Sequence, residues 1–243
     1  MITTILNVYR RPYYLKEQIE AIRKQTTGIG EIWLWINNHE DNFGFDFDSL
    51  GVDKIIRANH NFKYHGRFSL ALLAETPYVS LFDDDTIPGD MWYENCLNTS
   101  RLTNGVLGGA GVILNSRQYS NHERVGWPSQ NKNITRVDLV GHAWFVPKKA
   151  INVMWNETPF LNNGEDIQLS FNAQKYGNIN TFCPPHDISS PRTWSSLSPI
   201  EKGNDNKVSS NRILMPVSDF YHQRDLCVGY AVDNGWNTVR EKK

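Results

Sequence analysis

Residues 78–89 read Tyr78-Val79-Ser80-Leu81-Phe82-Asp83-Asp84-Asp85-Thr86-Ile87-Pro88-Gly89. The first five are mainly apolar, aromatic or β-branched, which predicts a short buried strand, and the Pro-Gly pair predicts a turn after it. In an extended chain, Asp83 and Asp85 point to the same side. Like charges this close disfavour joint ionisation unless a positive charge lies between them. We therefore expect a divalent cation here, Mg²⁺ or Mn²⁺, because both prefer hard oxygen ligands. A solvated acidic turn is the alternative.

The first hundred residues alternate between strand-like and helix-like segments about every 25 residues. Predicted strands cover residues 2–8, 31–36, 52–58 and 78–82, and predicted helices run from Pro12 towards Gly28 and from Arg67 to Ala74. This alternation is typical of a parallel sheet with helices on its faces, where ligands bind at the carboxyl ends of the strands. Each predicted strand ends in polar residues, so we expect these side chains to converge. They are Tyr9-Arg10-Arg11, Asn37-Asn38, Asn59-His60-Asn61 and Asp83-Asp84-Asp85.

The second half of the chain has weaker patterns. We expect one glycine-rich strand over residues 105–114, a loop over 115–135, one strand over 137–146 and a helix that begins near Glu165 and ends at Gly177. Residues 184–212 are rich in Ser, Pro and Asn and predict a mobile loop. Residues 213–237 carry no pattern that assigns them. No linker interrupts the chain, so we predict a single domain over residues 1–243.

Composition limits the classes of partner. The 243 residues carry a formal net charge of −1, so there is no basic field for nucleic acid. The chain has 8 Trp, a residue type that often lines sugar pockets. Its 3 Cys are scattered, which fits a reducing compartment and no zinc site. No signal peptide and no apolar run of membrane-spanning length is seen, so we expect a cytoplasmic protein, free or peripheral at a membrane.

A series of short motifs extends from about residue 2 to about residue 194. The motifs are Asn7-Val8-Tyr9-Arg10-Arg11, Trp35-Ile36-Asn37-Asn38, Gly66-Arg67-Phe68, the segment from Phe82 to Gly89, Gly141-His142-Ala143-Trp144-Phe145, Asn163-Gly164-Glu165-Asp166-Ile167 and Pro184-Pro185-His186-Asp187. In this order they resemble the nucleotide-sugar glycosyltransferases of the GT-A fold, nearest the family-2-like and exostosin-like group. The resemblance implies an α/β fold: a Rossmann-like, mostly parallel central sheet flanked by helices, with a smaller mixed sheet on the acceptor side. Residues 1–100 would then bind the nucleotide sugar and residues 101–243 the acceptor.

The resemblance also implies roles for particular residues. The aspartate triplet corresponds to the DxD motif that holds the metal on the diphosphate, with Asp85 as the first choice of direct ligand. Asp166 matches the acidic residue at the reacting centre. The resemblance places donor binding at Tyr9, Arg11, Asn37, Asn38, Arg67, Asp83 and Asp84, and metal binding at Asp85, Asp83 and His186. His222 is the second choice for the histidine ligand.

Glycosyl transfer requires stabilisation of the departing nucleoside diphosphate, which a divalent cation and the Arg67 guanidinium would supply. An inverting reaction also needs a base, and Asp166 stands at a predicted helix start, where backbone N–H groups keep a carboxylate ionised. Glu165 would orient the acceptor. The alternative is that Asp166 only caps the helix. Aromatic and histidine residues are candidates for acceptor contact, or else packing residues: Trp144, His142 and Trp194, followed by Trp92 and Trp127.

The expected function is therefore metal-dependent transfer of a sugar from a nucleotide-sugar donor, a UDP-sugar being favoured, to a saccharide or other hydroxyl acceptor. Retention and inversion both remain open. One alternative is a sugar-phosphate nucleotidyltransferase, although the segment Tyr9 to Pro12 lacks the glycines that cradle a triphosphate. A non-catalytic carbohydrate-binding domain and a hydrolase with paired carboxylates are the others.

Overall fold

Two β-sheets and the helices packed on them form the described part of the chain, which is residues 1–198 and 216–240 of a computed structural model. The strands are β1 (Ile2–Val8), β2 (Ile29–Ile36), β3 (Lys54–Arg57), β4 (Tyr78–Phe82), β5 (Val106–Leu107), β6 (Ala110–Leu114), β7 (His122–Gly126), β8 (Thr135–Val137), β9 (Leu139–Gly141), β10 (Trp144–Pro147) and β11 (Thr181–Cys183). The α-helices are α1 (Leu15–Arg23), α2 (Gly66–Leu70), α3 (Trp92–Thr103), α4 (Lys148–Met154), α5 (Glu165–Gly177) and α6 (Val217–Asp233).

The larger sheet has eight strands in the order β3-β2-β1-β4-β10-β5-β11-β8. The first four are parallel to one another, β10 runs antiparallel to β4, and β5 pairs with β11 in parallel. β1 lies in the interior of this sheet and all of its residues are buried, as expected of a strand covered on both faces. The predicted α/β architecture with a mostly parallel central sheet is confirmed.

Helices cover both faces of the larger sheet because successive strand residues point to opposite sides. In β1, Leu6 and Val8 join the core that also contains Leu15 and Ile19 of α1. Ile5 points the other way, into the core that contains residues of α2 and α4. The buried residues of α1 recur at helical spacing, which explains why this segment forms an amphipathic helix.

The smaller sheet has the order β7-β6-β9 and is antiparallel throughout. The expectation of one strand over residues 105–114 was wrong, because the segment divides into β5 in the larger sheet and β6 in the smaller one. Gly108 stands at the crossing, where a Cβ atom would lie 2.6 Å from Cβ of Val140. Only a residue without a side chain allows this approach. The predicted loop over 115–135 was also wrong in part, since it contains β7.

The single strand predicted over residues 137–146 is likewise divided. β9 belongs to the smaller sheet and β10 to the larger one. Between them, His142 and Ala143 have φ values of 58° and 57°, in the left-handed region that non-glycine residues rarely adopt. This turn takes the chain from one sheet to the other.

The C-terminal part supplies the helix α6, which covers most of the unassigned segment 213–237. The predicted helix over α5 is confirmed, with Gly164 at φ +97° before it and Asn178 in the left-handed region after it. Much of the predicted mobile loop, residues 199–212, lies outside the described residues. Within residues 1–198 and 216–240, the structure has no helix that is both long enough and apolar enough to cross a bilayer.

Candidate active site

A cavity of about 270 Å³ opens where the carboxyl ends of β1, β2 and β4 meet the smaller sheet. On its sheet side it is lined by the polar strand ends Asn7, Tyr9, Arg10, Arg11, Asn37, Asp83, Asp84 and Asp85. This wall continues with Asn61, Lys63, Tyr64 and Arg67. On its far side it is lined by Val112, Tyr119, Arg124, Leu139, Gly141, His142, Trp144, Asn163, Glu165, Asp166, Phe220 and Arg224. Most of the polar strand ends therefore converge as the sequence predicts, but Asn38, Asn59 and His60 are not among the lining residues.

Asp84 ties the end of β1 to the end of β4. One of its carboxylate oxygens accepts a hydrogen bond from Arg11 Nε at 2.8 Å, and the other accepts from the backbone N–H of Tyr9 at 3.2 Å. The Asp84 side chain is 5% exposed. A carboxylate held in this way shapes the site and keeps the Arg11 guanidinium in place.

Asp83 and Asp85 both line the cavity, consistent with their spacing of two residues. Each is next to an arginine: Asp83 Oδ1 lies 3.2 Å from Arg67 Nη2, and Asp85 Oδ2 lies 3.1 Å from Arg11 Nη1. Burial raises the pKa of Asp83 above its usual value although Arg67 lies beside it, and the charge of Asp85 adds to the rise. Burial and the neighbouring carboxylate thus disfavour the ionised form of Asp83.

Arg67 connects this acidic pair to the other wall of the cavity. Its Nη2 donates to Glu165 Oε1 at 3.4 Å as well as facing Asp83, and its guanidinium lies 4.8 Å from the ring centroid of Trp144. The side chain is only 5% exposed. A buried guanidinium between two carboxylates can also receive an anionic group of a ligand.

Glu165 and Asp166 stand at the first turn of α5, and both are buried. Asp166 is held by Arg224 of α6, whose Nη2 lies 2.8 Å from Oδ1 and 2.7 Å from Oδ2. Burial and the neighbouring charge of Asp166 raise the pKa of Glu165 to about 7. Glu165 Oε2 is buried without a hydrogen-bond partner among residues 1–198 and 216–240. The two adjacent carboxylates are therefore in different environments.

Asparagines form one end of the cavity. Asn37 donates to Asn61 Oδ1 at 2.8 Å and accepts from the backbone N–H of Phe62 at 3.0 Å, while Asn61 donates to the Tyr9 hydroxyl at 3.1 Å. Amide and phenol groups in this arrangement offer donors and acceptors to a polar planar ligand such as a nucleobase. Asn38, the other predicted asparagine, instead donates to the carbonyl of Asn59 at 3.2 Å and does not line the cavity.

The predicted acceptor residues are only partly brought together. His142 lines the cavity, stacked on Trp127 with ring centroids 4.1 Å apart and its Nδ1 3.3 Å from Thr86 Oγ1. Trp144 also lines the cavity, but it is buried and the Arg67 guanidinium covers its ring. Trp194 lies elsewhere, donating its indole N–H to the carbonyl of Asp187 at 2.8 Å.

His186 is not placed at the cavity. It is buried, its Nδ1 lies 2.9 Å from the carbonyl oxygen of Pro184, and its Nε2 lies 2.9 Å from Ser195 Oγ. Since protein groups use both ring nitrogens, this placement argues against the expected role of His186 as a metal ligand. His222 lies exposed on α6, outside the cavity lining, and Trp92 is fully buried.

The donor set of the acidic pair fits a divalent cation bound together with a ligand. Mg²⁺ is commonly held by one or two carboxylates plus substrate phosphates rather than by a cage of protein groups alone. In the chain as far as it is described, no cluster of three or more His, Cys, Asp or Glu could hold a metal. Cation binding at Asp83 and Asp85 stays a prediction.

Several cavity residues have no counterpart in the sequence-based predictions. Arg224, Tyr119 and Arg124 belong to segments that sequence analysis left unassigned or read as loops. The pairing of Arg224 with Asp166 spans 58 residues. No local pattern signals such a contact, although Asn61 follows a predicted strand and belongs to one of the polar clusters expected to converge.

No protein-family model matches the chain, and no curated protein matches it in sequence. Solved structures do match. A crystal structure of S. aureus TarS matches with a TM-score of 0.56 and 15% identity, covering 99% of this chain and 46% of TarS. Two structures of TarS 1-349 match as well. The one in complex with UDP-GlcNAc gives a TM-score of 0.54 at 14% identity, over 95% of this chain and 71% of the other.

The second, in complex with UDP, gives a TM-score of 0.56 at 14% identity, over 98% of this chain and 72% of the other. This chain thus spans less than half of the longer TarS structure. At identities this low, the structural similarity establishes the fold alone. The chain has the GT-A fold of TarS, as the sequence motifs predicted.

Proposed function

We propose that this protein is a glycosyltransferase that moves a sugar from a nucleotide-sugar donor, a UDP-sugar being favoured, to a hydroxyl group of a saccharide or other acceptor. The observation that carries the proposal is the convergence of Asp83 and Asp85 with Glu165 and Asp166 on one cavity, bridged by Arg67. TarS structures of the same fold contain UDP-GlcNAc and UDP, which supports a nucleotide-sugar donor.

The donor would lie along the strand ends. Asn37 and Asn61 suit the edge of a nucleobase, since together they present amide donors and acceptors at one end of the cavity. The diphosphate would lie near Arg67 and the acidic pair. The Arg67 guanidinium would then lie beside the negative charge that develops on the departing nucleoside diphosphate. This interaction stabilises the transition state more than the ground state.

Asp83 and Asp85 would hold the divalent cation, Mn²⁺ or Mg²⁺. When bound, such a cation supplies positive charge that neutralises the departing diphosphate. Asp84 would not contact the cation, because its two oxygens already accept from Arg11 and the Tyr9 backbone. Its contribution is to hold the ends of β1 and β4 in register with the site.

The acceptor would approach from the side of the smaller sheet and α5. In the transfer, the bond between the anomeric carbon and the diphosphate oxygen breaks and its electron pair leaves with the diphosphate. A bond forms from the acceptor oxygen to the anomeric carbon, and the acceptor proton goes to a carboxylate of the Glu165–Asp166 pair. Both carboxylates line the cavity, so either can be within reach of a hydroxyl there.

The test is a panel of nucleotide sugars, each incubated with the protein and Mn²⁺, Mg²⁺ or EDTA, with nucleoside diphosphate release and donor binding as readouts. We expect binding of at least one UDP-sugar and diphosphate release that EDTA abolishes. The test variant is Asp85→Asn in the acidic pair. Its matched control is Asp48→Asn, because the Asp48 carboxylate is exposed and remote from the cavity.

The alternatives give different outcomes in the same panel. Release of pyrophosphate from a nucleoside triphosphate and a sugar phosphate would indicate a nucleotidyltransferase. Saccharide binding that Asp166→Asn leaves unchanged, with no turnover of any donor, would indicate a carbohydrate-binding domain. Absence of nucleotide and nucleotide-sugar binding, with or without Mn²⁺, would contradict the proposal.

A further inference from the structure

Arg224 on α6 makes the closest ion pair on the far wall of the cavity. Its Nη2 lies 2.8 Å and 2.7 Å from the two carboxylate oxygens of Asp166, and its Nη1 donates to Asn163 Oδ1 at 3.3 Å. Its guanidinium lies 4.0 Å from the ring centroid of Tyr119. The side chains of Arg224 and Asp166 are 5% and 9% exposed. This guanidinium is therefore fixed on several sides, and it belongs to a segment remote in sequence from α5.

The contacts of Asp166 leave it little capacity to act on a ligand. Besides Arg224, its Oδ1 accepts a hydrogen bond from the backbone N–H of Ile167 at 2.8 Å. Donors of the protein therefore already occupy both carboxylate oxygens of Asp166.

Glu165 has the opposite environment. Its Oε1 faces Arg67 at 3.4 Å, a long contact, and its buried Oε2 has no hydrogen-bond partner in the described ranges 1–198 and 216–240. The fixed negative charge of Asp166 lies beside it in the chain. An unpaired buried carboxylate oxygen next to a second carboxylate favours uptake of a proton, in agreement with the raised pKa of about 7.

We propose that Arg224 is a positioning residue: by occupying both carboxylate oxygens of Asp166, it leaves Glu165 as the carboxylate that accepts the proton of the acceptor hydroxyl. This inference rests on the proposed glycosyl transfer. In the step, the acceptor O–H bond breaks as the bond to the anomeric carbon forms, and the proton goes to Glu165 Oε2. The electron pair of the breaking bond leaves on the diphosphate.

Other charged or titratable groups bear on Glu165 from each neighbouring element. These are Arg67 from α2, Arg224 and Cys227 from α6, and Asp166 beside it in α5. Burial raises the pKa of the Cys227 thiol to about 12, so the thiol stays protonated in the range where Glu165 titrates. Arginine side chains keep their charges throughout this range. His65, which precedes α2, also interacts electrostatically with Asp166, and burial lowers the pKa of His65.

The experiment compares four variants with the wild type, using the donor and acceptor that the nucleotide-sugar panel identifies. The variants are Glu165→Gln, the double variant Asp166→Asn with Arg224→Met, Arg224→Met alone and Arg224→Lys. The double variant removes both partners of the buried pair together, which avoids leaving one buried charge uncompensated. Circular dichroism and UDP binding report on folding and on the donor side for each variant.

We expect Glu165→Gln to lower kcat by about 100-fold or more with UDP binding unchanged, because the proton acceptor is lost. The double variant should keep a higher kcat than Glu165→Gln, since Glu165 remains. Arg224→Met alone leaves Asp166 uncompensated, which raises the proton affinity of Glu165. The acidic limb of its pH–rate profile should therefore move to higher pH, and Arg224→Lys should restore it. A residue that only supports the fold would not move this limb.

The inference is overturned if Glu165→Gln stays active while the double variant is inactive, because Asp166 would then be the base. It is also overturned if the acidic limb of the wild-type pH–rate profile lies near the ordinary carboxylate pKa and does not move in the Arg224 variants. A wild-type protein that neither binds nor turns over any nucleotide sugar would contradict the proposed function itself. That result is distinct from every outcome described for the variants.

Discussion

Arg67 is the residue that joins the two acidic groups of the site. It contacts Asp83 and Glu165 and lies on the ring of Trp144. Lysine offers one ammonium group and cannot hold the same three contacts at once. We expect Arg67→Lys to lower kcat by about 100-fold, by analogy with the loss of a charge-stabilising donor. Steady-state kinetics with the matched surface change Arg57→Lys checks this, and equal activity of the two variants would contradict the role of Arg67.

The buried pair of Arg11 and Asp84 is expected to matter for stability more than for chemistry. Asp84→Asn leaves the Arg11 guanidinium without its main partner, and breaking a buried pair costs about 3–5 kcal/mol. The matched change Asp48→Asn removes the partner of Arg57 at the surface, where ion pairs contribute about 0–1 kcal/mol. Urea denaturation of both variants measures the difference. Similar unfolding free energies would show that Asp84 does not hold the strand ends together.

The raised pKa of Glu165 has a consequence for stability that is independent of activity. Because the folded state favours the protonated form, the ionised carboxylate destabilises the fold as pH rises from the unfolded pKa of about 4.3 to the folded value of about 7. Glu165→Gln removes this effect. Relative to the wild type, the variant should gain about 3 kcal/mol in unfolding free energy above about pH 7, and much less below about pH 4.

Urea denaturation at several pH values checks this prediction. The control is Glu75→Gln, which removes an exposed carboxylate away from the cavity. A difference between Glu165→Gln and the wild type that is the same at all pH values would mean that Glu165 ionises as freely in the folded protein as in the unfolded chain.

At the level of secondary-structure elements, the contact between α5 and α6 fixes the acidic end of the site. Gly164 precedes α5 at φ +97°, and a Cβ atom there would lie 2.8 Å from Cys227 Sγ of α6. Gly235 has nearly the same φ, +98°, with nothing within 4 Å. Ala at either position meets the same backbone strain, of order 1–3 kcal/mol. Only Gly164→Ala should also displace α6, and with it Arg224.

We therefore expect Gly164→Ala to lower kcat strongly while Gly235→Ala leaves it near the wild-type value, with comparable backbone strain in both. Kinetics and thermal denaturation of the two variants separate the effects. If both variants lose the same stability and keep full activity, the packing of α6 on Gly164 does not control the site.

Elements with a simple periodicity could be predicted from the sequence, and the others could not. β1, β2 and β4 have continuous apolar runs and end in polar residues, so their shared direction also predicted where Asp83 and Asn37 meet. α6 was missed because few of its residues are buried and one of them is the charged Arg224, so the apolar pattern is weak although the buried positions recur at helical spacing. β5 and β6 were merged because Gly108 and Gly109 interrupt the strand without any polar break.

The same limit applies to the site. Arg224 and Tyr119 reach the cavity through tertiary packing of distant segments, which no spacing in the chain reveals. His186 is a different case. The resemblance implied that it binds the metal, but its ring faces Pro184 and Ser195 rather than the aspartates. A residue type suited to metal binding does not establish where its side chain points.

For the molecule as a whole, the cavity depends on the meeting of two sheets. The parallel part of the larger sheet supplies Asp83, Asp85 and the asparagines, while the smaller sheet, α5 and α6 supply the opposite wall. The expected division into a donor half before about residue 100 and an acceptor half after it remains a prediction. It requires that a nucleotide bind to the first wall and leave the second free.

The central claim is that the aspartates after β4 hold a cation that neutralises a departing diphosphate. The most direct test is a crystal structure of the protein with Mn²⁺ and UDP. The account predicts Mn²⁺ bound by Asp83 or Asp85 and by the diphosphate, with Arg67 near the phosphate oxygens and the uracil beside Asn37 and Asn61. UDP bound elsewhere, or bound in this cavity with no Mn²⁺ at the aspartates, would contradict it.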